Sequence, residues 1–174
     1  MSNRLHQLNA GYDALQDRIL FSIGAEDGTE FRFWITRRYL LLLWSMLVKL
    51  ATAFAGARAS GDPIRREALA EMAHHQAHRD ADFETSYRGG TQRPLGEEPV
   101  LLAKVAVKQD AAGRWTLTLL PNEGPGADIG VDENMTHLLA SLLQRAASQA
   151  EWHLALAPLA TPAMGEAAPP PRIH

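Results

Sequence analysis

Apolar side chains alternate along two short runs near the start of the chain. Ile19, Phe21 and Ile23 share one side of the first, and Phe31, Phe33 and Ile35 share one side of the second. A period of two with one apolar face predicts a half-buried antiparallel pair. The Asp27-Gly28 step between them suits a tight hairpin, because glycine tolerates the positive φ such turns need. Thr36 then stands where a helix N-cap is wanted. The helix that follows is apolar almost all round. Leu40, Leu43, Trp44, Leu47 and Ala51 make one stripe, while Leu41, Leu42, Met46 and Val48 cover the other sides. One sheet cannot cover such a helix, so a second layer is expected to bury the rest. That layer is another helix of the chain or a second copy, which makes Leu41, Leu42 and Met46 the candidate interface.

A membrane span is the competing reading of the same run. Residues 39–48 are apolar except for Ser45, but crossing a bilayer takes about 20 apolar residues. Extending the span places Lys49 near its middle, at a cost of roughly 3 kcal/mol. A buried helix is the expectation.

Further along, residues 1–16 read as a polar lead-in, and 57–61 as a break. Asp62-Pro63 supplies an N-cap and a first-turn proline for a second helix reaching about residue 82. Its thin stripe of Ile64, Ala68, Leu69 and Met72 predicts a surface position. Residues 83–99, rich in glycine and proline, read as a long loop. Leu101, Ala103, Val105 and Val107 then mark one face of a strand over 100–109, and Trp115, Leu117 and Leu119 its return. Ile129 and Val131 suit a short fifth strand, and Asp132 caps a last helix. Met135, Leu138, Leu139, Leu142, Leu143 and Ala146 give that helix one apolar face. From residue 157 the chain is proline-rich with little apolar bulk, so a disordered tail is expected over 157–174.

The two ends echo each other: a hairpin, a capping residue (Thr36, Asp132), then a leucine-rich helix. The expected fold is α+β, with an antiparallel sheet of four to five strands built from two β-β-α-like units. Two helices pack on one face and a third is peripheral. Residues 1–156 form a single domain, with 57–99 as a helical insert and loop.

Composition narrows function more than it identifies it. A formal net charge of -3 over 174 residues gives no overall pull toward nucleic acid or anionic membranes. The absence of cysteine excludes disulfides, thiol nucleophiles and thiolate metal sites. With no signal-peptide pattern, a cytoplasmic protein is expected. The words Tyr12-Asp13, Asp17-Arg18 and Phe31-Arg-Phe-Trp-Ile-Thr-Arg-Arg38 resemble a small family of uncharacterised bacterial proteins. The resemblance implies no activity, only that these positions matter as a set.

Three groups of residues carry candidate chemistry. His74 and His78 stand at i and i+4 beside Glu71, a spacing that lets two imidazoles bind one zinc. The protease pattern is absent, because His75 stands where a glutamate is needed. A solvated helix face accounts for the same spacing and is preferred. Alternation along the strands points Arg18, Arg32, Trp34, Lys104 and Lys108 outward, opposed only by Glu30. Basic residues around an aromatic can track a single strand of nucleic acid, although they equally cover a solvated sheet. Arg37 and Arg38 occupy a first helical turn, where the dipole disfavours cations, so a carboxylate such as Asp13, Asp17 or Glu30 is the expected partner. No phosphate loop and no nucleophile elbow appear.

The expectation is therefore a non-enzymatic binding or assembly protein, without a cofactor, that forms homo-oligomers. Single-stranded nucleic-acid binding and metal binding through His74 and His78 are the alternatives.

Overall fold

The computed structural model describes residues 5–58 and 87–159. The helix expected over residues 62–82, with His74 and His78, lies outside the described residues. The fold is α+β, with seven strands and two helices among the described residues. The strands are β1 (Leu5–Asp13), β2 (Arg18–Ala25), β3 (Glu30–Ile35), β4 (Val100–Leu101), β5 (Lys104–Gln109), β6 (Trp115–Leu120) and β7 (Ala127–Val131). The helices are α1 (Arg37–Arg58) and α2 (Glu133–Gln149).

Two expectations are corrected here. Residues 5–13 are a strand rather than a lead-in, with Leu8, Ala10 and Tyr12 opposite Ile23, Phe21 and Ile19. There are also two sheets, one of order β1-β2-β3-β4 and one of order β5-β6-β7. All pairings are antiparallel except β3 with β4, which is parallel. The reason lies in the run 100–109. The Leu102 amide donates to the Trp34 carbonyl of the first sheet, and the next amide, Ala103, donates to the Leu120 carbonyl of the second, each at 2.9 Å. One extended stretch thus leaves one sheet and enters the other. Leu102 fills the corner and is fully buried.

Local signals set the turns and caps. Gly28 adopts φ 83°, and the Asp27 carboxylate accepts from the Thr29 amide at 2.9 Å. The Asp132 carboxylate accepts from the Met135 amide at 2.7 Å and caps α2. Thr36 reaches the Tyr39 amide more loosely, at 3.4 Å.

A single core gathers Ile19, Phe21 and Phe33 from the first sheet and Leu117, Leu119 and Ile129 from the second. Leu40, Leu43, Leu47 and Leu50 of α1 and Leu139 and Leu143 of α2 complete it. Each such side chain contributes roughly 1.5–3 kcal/mol on burial. The helices pack on each other, α1 against β5 and α2 against β1. α1 follows β1–β3 in the chain and rests on the second sheet, while α2 follows β4–β7 and rests on β1 of the first sheet as well as on β7. The chain then folds back: Trp152 and Leu159 are buried, and the Trp44 indole donates to the Ala157 carbonyl at 2.8 Å. The chain is therefore held beyond residue 157, through Leu159.

Candidate functional site

The free side of α1 is the first surface of interest. Leu40, Leu43, Trp44, Leu47 and Ala51 are buried, as their stripe predicts, and Leu50 is buried with them. On the opposite side Leu41 and Leu42 are each 44% exposed, and Met46 is half-buried. Ser45, Lys49, Thr52 and Ala53 continue this side toward the C-terminal end of the helix. Residues 37–57 are long and apolar enough to cross a membrane by length and composition, which corrects the expectation that the apolar run is too short. Its buried stripe nevertheless packs on α2 and on the second sheet through β5.

The outer face of the first sheet is the second surface. Register places Gly11, Leu20, Trp34 and Leu101 in one row across four strands, with Asn9, Ser22 and Arg32 in the next. Leu101 is 45% exposed, while Trp34 and Leu20 are half-buried. Lys104 and Lys108 are exposed on the outer side of β5, but they belong to the other sheet. The five residues expected to act together are thus divided three and two between sheets.

Arg32 is also engaged. Its guanidinium donates to the Glu97 carbonyl and lies 4.0 Å from the Glu30 carboxylate. Glu30 is the hub of this end of the sheet and is only 4% exposed. It accepts from the Tyr87 hydroxyl at 2.9 Å and from Arg93 Nε at 3.2 Å. Burial, and then the bond to Glu30, raise the Tyr87 hydroxyl far above its ordinary pKa. Arg93 is raised too, chiefly by its contact with Glu97 and then by Glu30. Backbone bonds complete the attachment: Thr91 and Gln92 donate to the Gly28 carbonyl, and Glu30 donates to the Gln92 carbonyl at 2.7 Å. Residues 87–98 therefore form a strap clamped over the β2–β3 turn. Glu30 does not oppose an open basic face; it lies beneath the strap.

Sequence patterning missed this cluster, since Tyr87 and Arg93 stand 57 and 63 positions from Glu30. The one local signal is Gly89-Gly90. A Cβ on Gly90 would collide with the Gly28 carbonyl and come within 2.8 Å of the Glu30 Cβ. Only glycine lets the two backbones approach so closely.

A third cluster gathers at the other end of the sheet. The Asp17 carboxylate accepts from the Trp152 indole at 2.8 Å and from the Tyr12 hydroxyl at 2.9 Å. Arg37 lies over the Trp152 ring, 5.5 Å from its centre, and Tyr12 meets that ring edge-on. The arginine expected to bind a carboxylate directly thus stacks on the indole that does so. The indole bond, the phenol bond and, more weakly, the Arg37 charge hold the Asp17 carboxyl below the usual range.

No group of three or more metal-ligating side chains occurs among the described residues. Comparisons with protein-family models, with curated proteins and with solved structures find no match to this chain.

Proposed function

We propose that the protein is a non-enzymatic assembly protein that self-associates through the free side of α1. One observation carries this reading. A helix apolar enough to span a membrane has only 39% of its most apolar window buried, and it leaves Leu41 and Leu42 exposed side by side. Covering two such leucines is favourable by about 25 cal/mol per Å² of apolar surface.

The outward side of α1 is also self-complementary. Its large residues, Leu41, Leu42 and Met46, lie toward the N-terminal end, and its small ones, Thr52, Ala53 and Gly56, toward the C-terminal end. Two copies crossing antiparallel about a two-fold axis set large against small at both ends, as an isologous contact requires. Lys49 falls near the middle, where its stem covers apolar surface and its ammonium stays in water.

The basic residues give nucleic-acid binding less support, because they are divided between sheets and Arg32 is committed to the strap. Light scattering of the purified chain, with ultraviolet absorbance recorded alongside, tests the proposal. A defined oligomer free of nucleic acid, reduced to a smaller species by Leu42→Glu, is expected. A monomer at every concentration overturns it, and nucleic-acid absorbance on that monomer moves Arg18 and Trp34 to the front.

A further inference from the structure

We propose that the outer edge of β1, which no other strand covers among the described residues, is a second self-association surface, on which β1 of another copy pairs antiparallel about Asn9. This goes beyond the α1 contact and rests on different residues.

An edge strand presents unpaired amides and carbonyls, and soluble proteins blunt such edges with charge, proline, brevity or a bulge. The outermost strands of the two sheets are treated differently in this molecule. At the edge of the second sheet, β7 is five residues long and carries the exposed Asp128, whose carboxylate accepts from the Thr118 hydroxyl. At the edge of the first, β1 is nine residues long, about 30 Å of strand. Between Gln7 and Tyr12 it holds no charge and no proline. Its register shift lies at one end, between Leu5 and Gln7, so the remainder is regular. The strap reaches β1 through a side chain: the Arg88 amide donates to the Gln7 carboxamide oxygen at 3.1 Å.

The strand is also built to match itself. Leu8, Ala10 and Tyr12 face the core but are only half-buried, as expected where a neighbouring strand is missing. Gln7, Asn9 and Gly11 occupy the outer side. An antiparallel partner centred on Asn9 places Asn9 opposite Asn9, Leu8 opposite Ala10 and Gln7 opposite Gly11. Carboxamide thus meets carboxamide at the centre, large meets small on either side of it, and no like charges oppose. Shifting the register by one residue would set the apolar side of one copy against the polar side of the other. Paired this way, two four-stranded sheets become one of eight.

The chain has no cysteine, so a single introduced thiol reports on this contact alone. Opposed residues of an antiparallel pair have Cβ atoms about 4.5–5.5 Å apart, within reach of a disulfide after small adjustment. Under mild oxidation Asn9→Cys is expected to become mostly covalent dimer on a non-reducing gel. Glu123→Cys, on an exposed turn, is expected to stay monomeric. The Asn9 cross-link should persist when Leu42→Glu is added, which separates this edge from the α1 contact. If Asn9→Cys fails to fold, Gln7→Cys mixed with Gly11→Cys provides the same readout, since a Cβ on Gly11 meets open space. Cross-linking no greater than that of Glu123→Cys, or no dimer specific to the mixture, overturns the proposal.

Discussion

The Trp152 indole nitrogen donates to the Asp17 carboxylate at 2.8 Å, joining residues 135 positions apart. That bond fastens the chain after α2 to the β1–β2 turn, with Arg37 stacked over the same indole. Asp17 adopts φ 47°, a backbone that asparagine also accepts, so Asp17→Asn removes the charge with little conformational cost. A carboxyl held low in the folded state stabilises it above the unfolded pKa of about 3.9. That stabilisation is lost as pH falls through the lower folded value. Asp17→Asn should therefore melt at lower temperature at pH 7 and lose less stability on acidification to pH 3. Thermal melts at the two pH values check this.

The hydrogen bond that the Tyr12 hydroxyl donates to the same carboxylate holds that hydroxyl above its ordinary pKa, with the opposite consequence. Its contribution is complete below about pH 10 and is lost as pH rises through the folded value. Tyr12→Phe should flatten the alkaline limb of the stability curve, read by melting between pH 8 and pH 11.

Glu30 is expected to be the most sensitive polar position. Removing one partner of a buried pair leaves the others uncompensated, and such losses run to about 3–5 kcal/mol. Glu30→Ala should fall near the lower figure, because Arg93 is 31% exposed and can turn to water. Limited proteolysis should then cut within residues 87–98 before any other described segment. Unchanged stability and unchanged cleavage would show that the strap is held by its backbone bonds alone.

Gly90→Ala tests the same strap without touching charge. The added methyl has no room between the Gly28 carbonyl and the Glu30 Cβ, and overpacking of this kind costs roughly 1–3 kcal/mol. Gly11→Ala is the natural control, with open space around its Cβ, and should be close to neutral. Urea denaturation of both variants distinguishes them.

At the corner between the sheets, Leu102→Ala should cost about 2–5 kcal/mol, the range for truncating a fully buried leucine. The loss should appear in both sheets together, because the Leu102 and Ala103 amides bond to opposite ones. Amide exchange in β2 and in β6 would show whether they loosen as one.

Much of this architecture was readable from local pattern. The Ile19-Phe21-Ile23 alternation, the Asp27-Gly28 turn, the buried stripe of α1 and the Asp132 cap all depend on residues within a few positions of each other. What escaped depends on distance. β1 carries its core side on Leu8, Ala10 and Tyr12, too weak an alternation to stand out beside its polar neighbours. The division into two sheets turns on two consecutive amides choosing different partners, which no periodicity within 100–109 could reveal. The Glu30 clamp escaped for the same reason: its parts meet only after the strap has crossed the sheet. The second layer expected to bury the rest of α1 is supplied only in part, since Leu41 and Leu42 remain 44% exposed beside α2.

The placement of α1 on β5 and α2 on β1 has a consequence for how the chain reaches its fold. Residues 5–58 alone would carry a helix whose sheet is not yet made, and 100–149 would carry one that keeps β7 but lacks β1 and α1. Neither half closes its core by itself, so the two must be completed in one late, cooperative event, after the ribosome has released most of the second. A chain severed between Arg58 and Tyr87 should yield two fragments that are each unstable and that regain structure only when mixed. Co-expression of the severed halves would then recover a folded molecule that neither half gives alone.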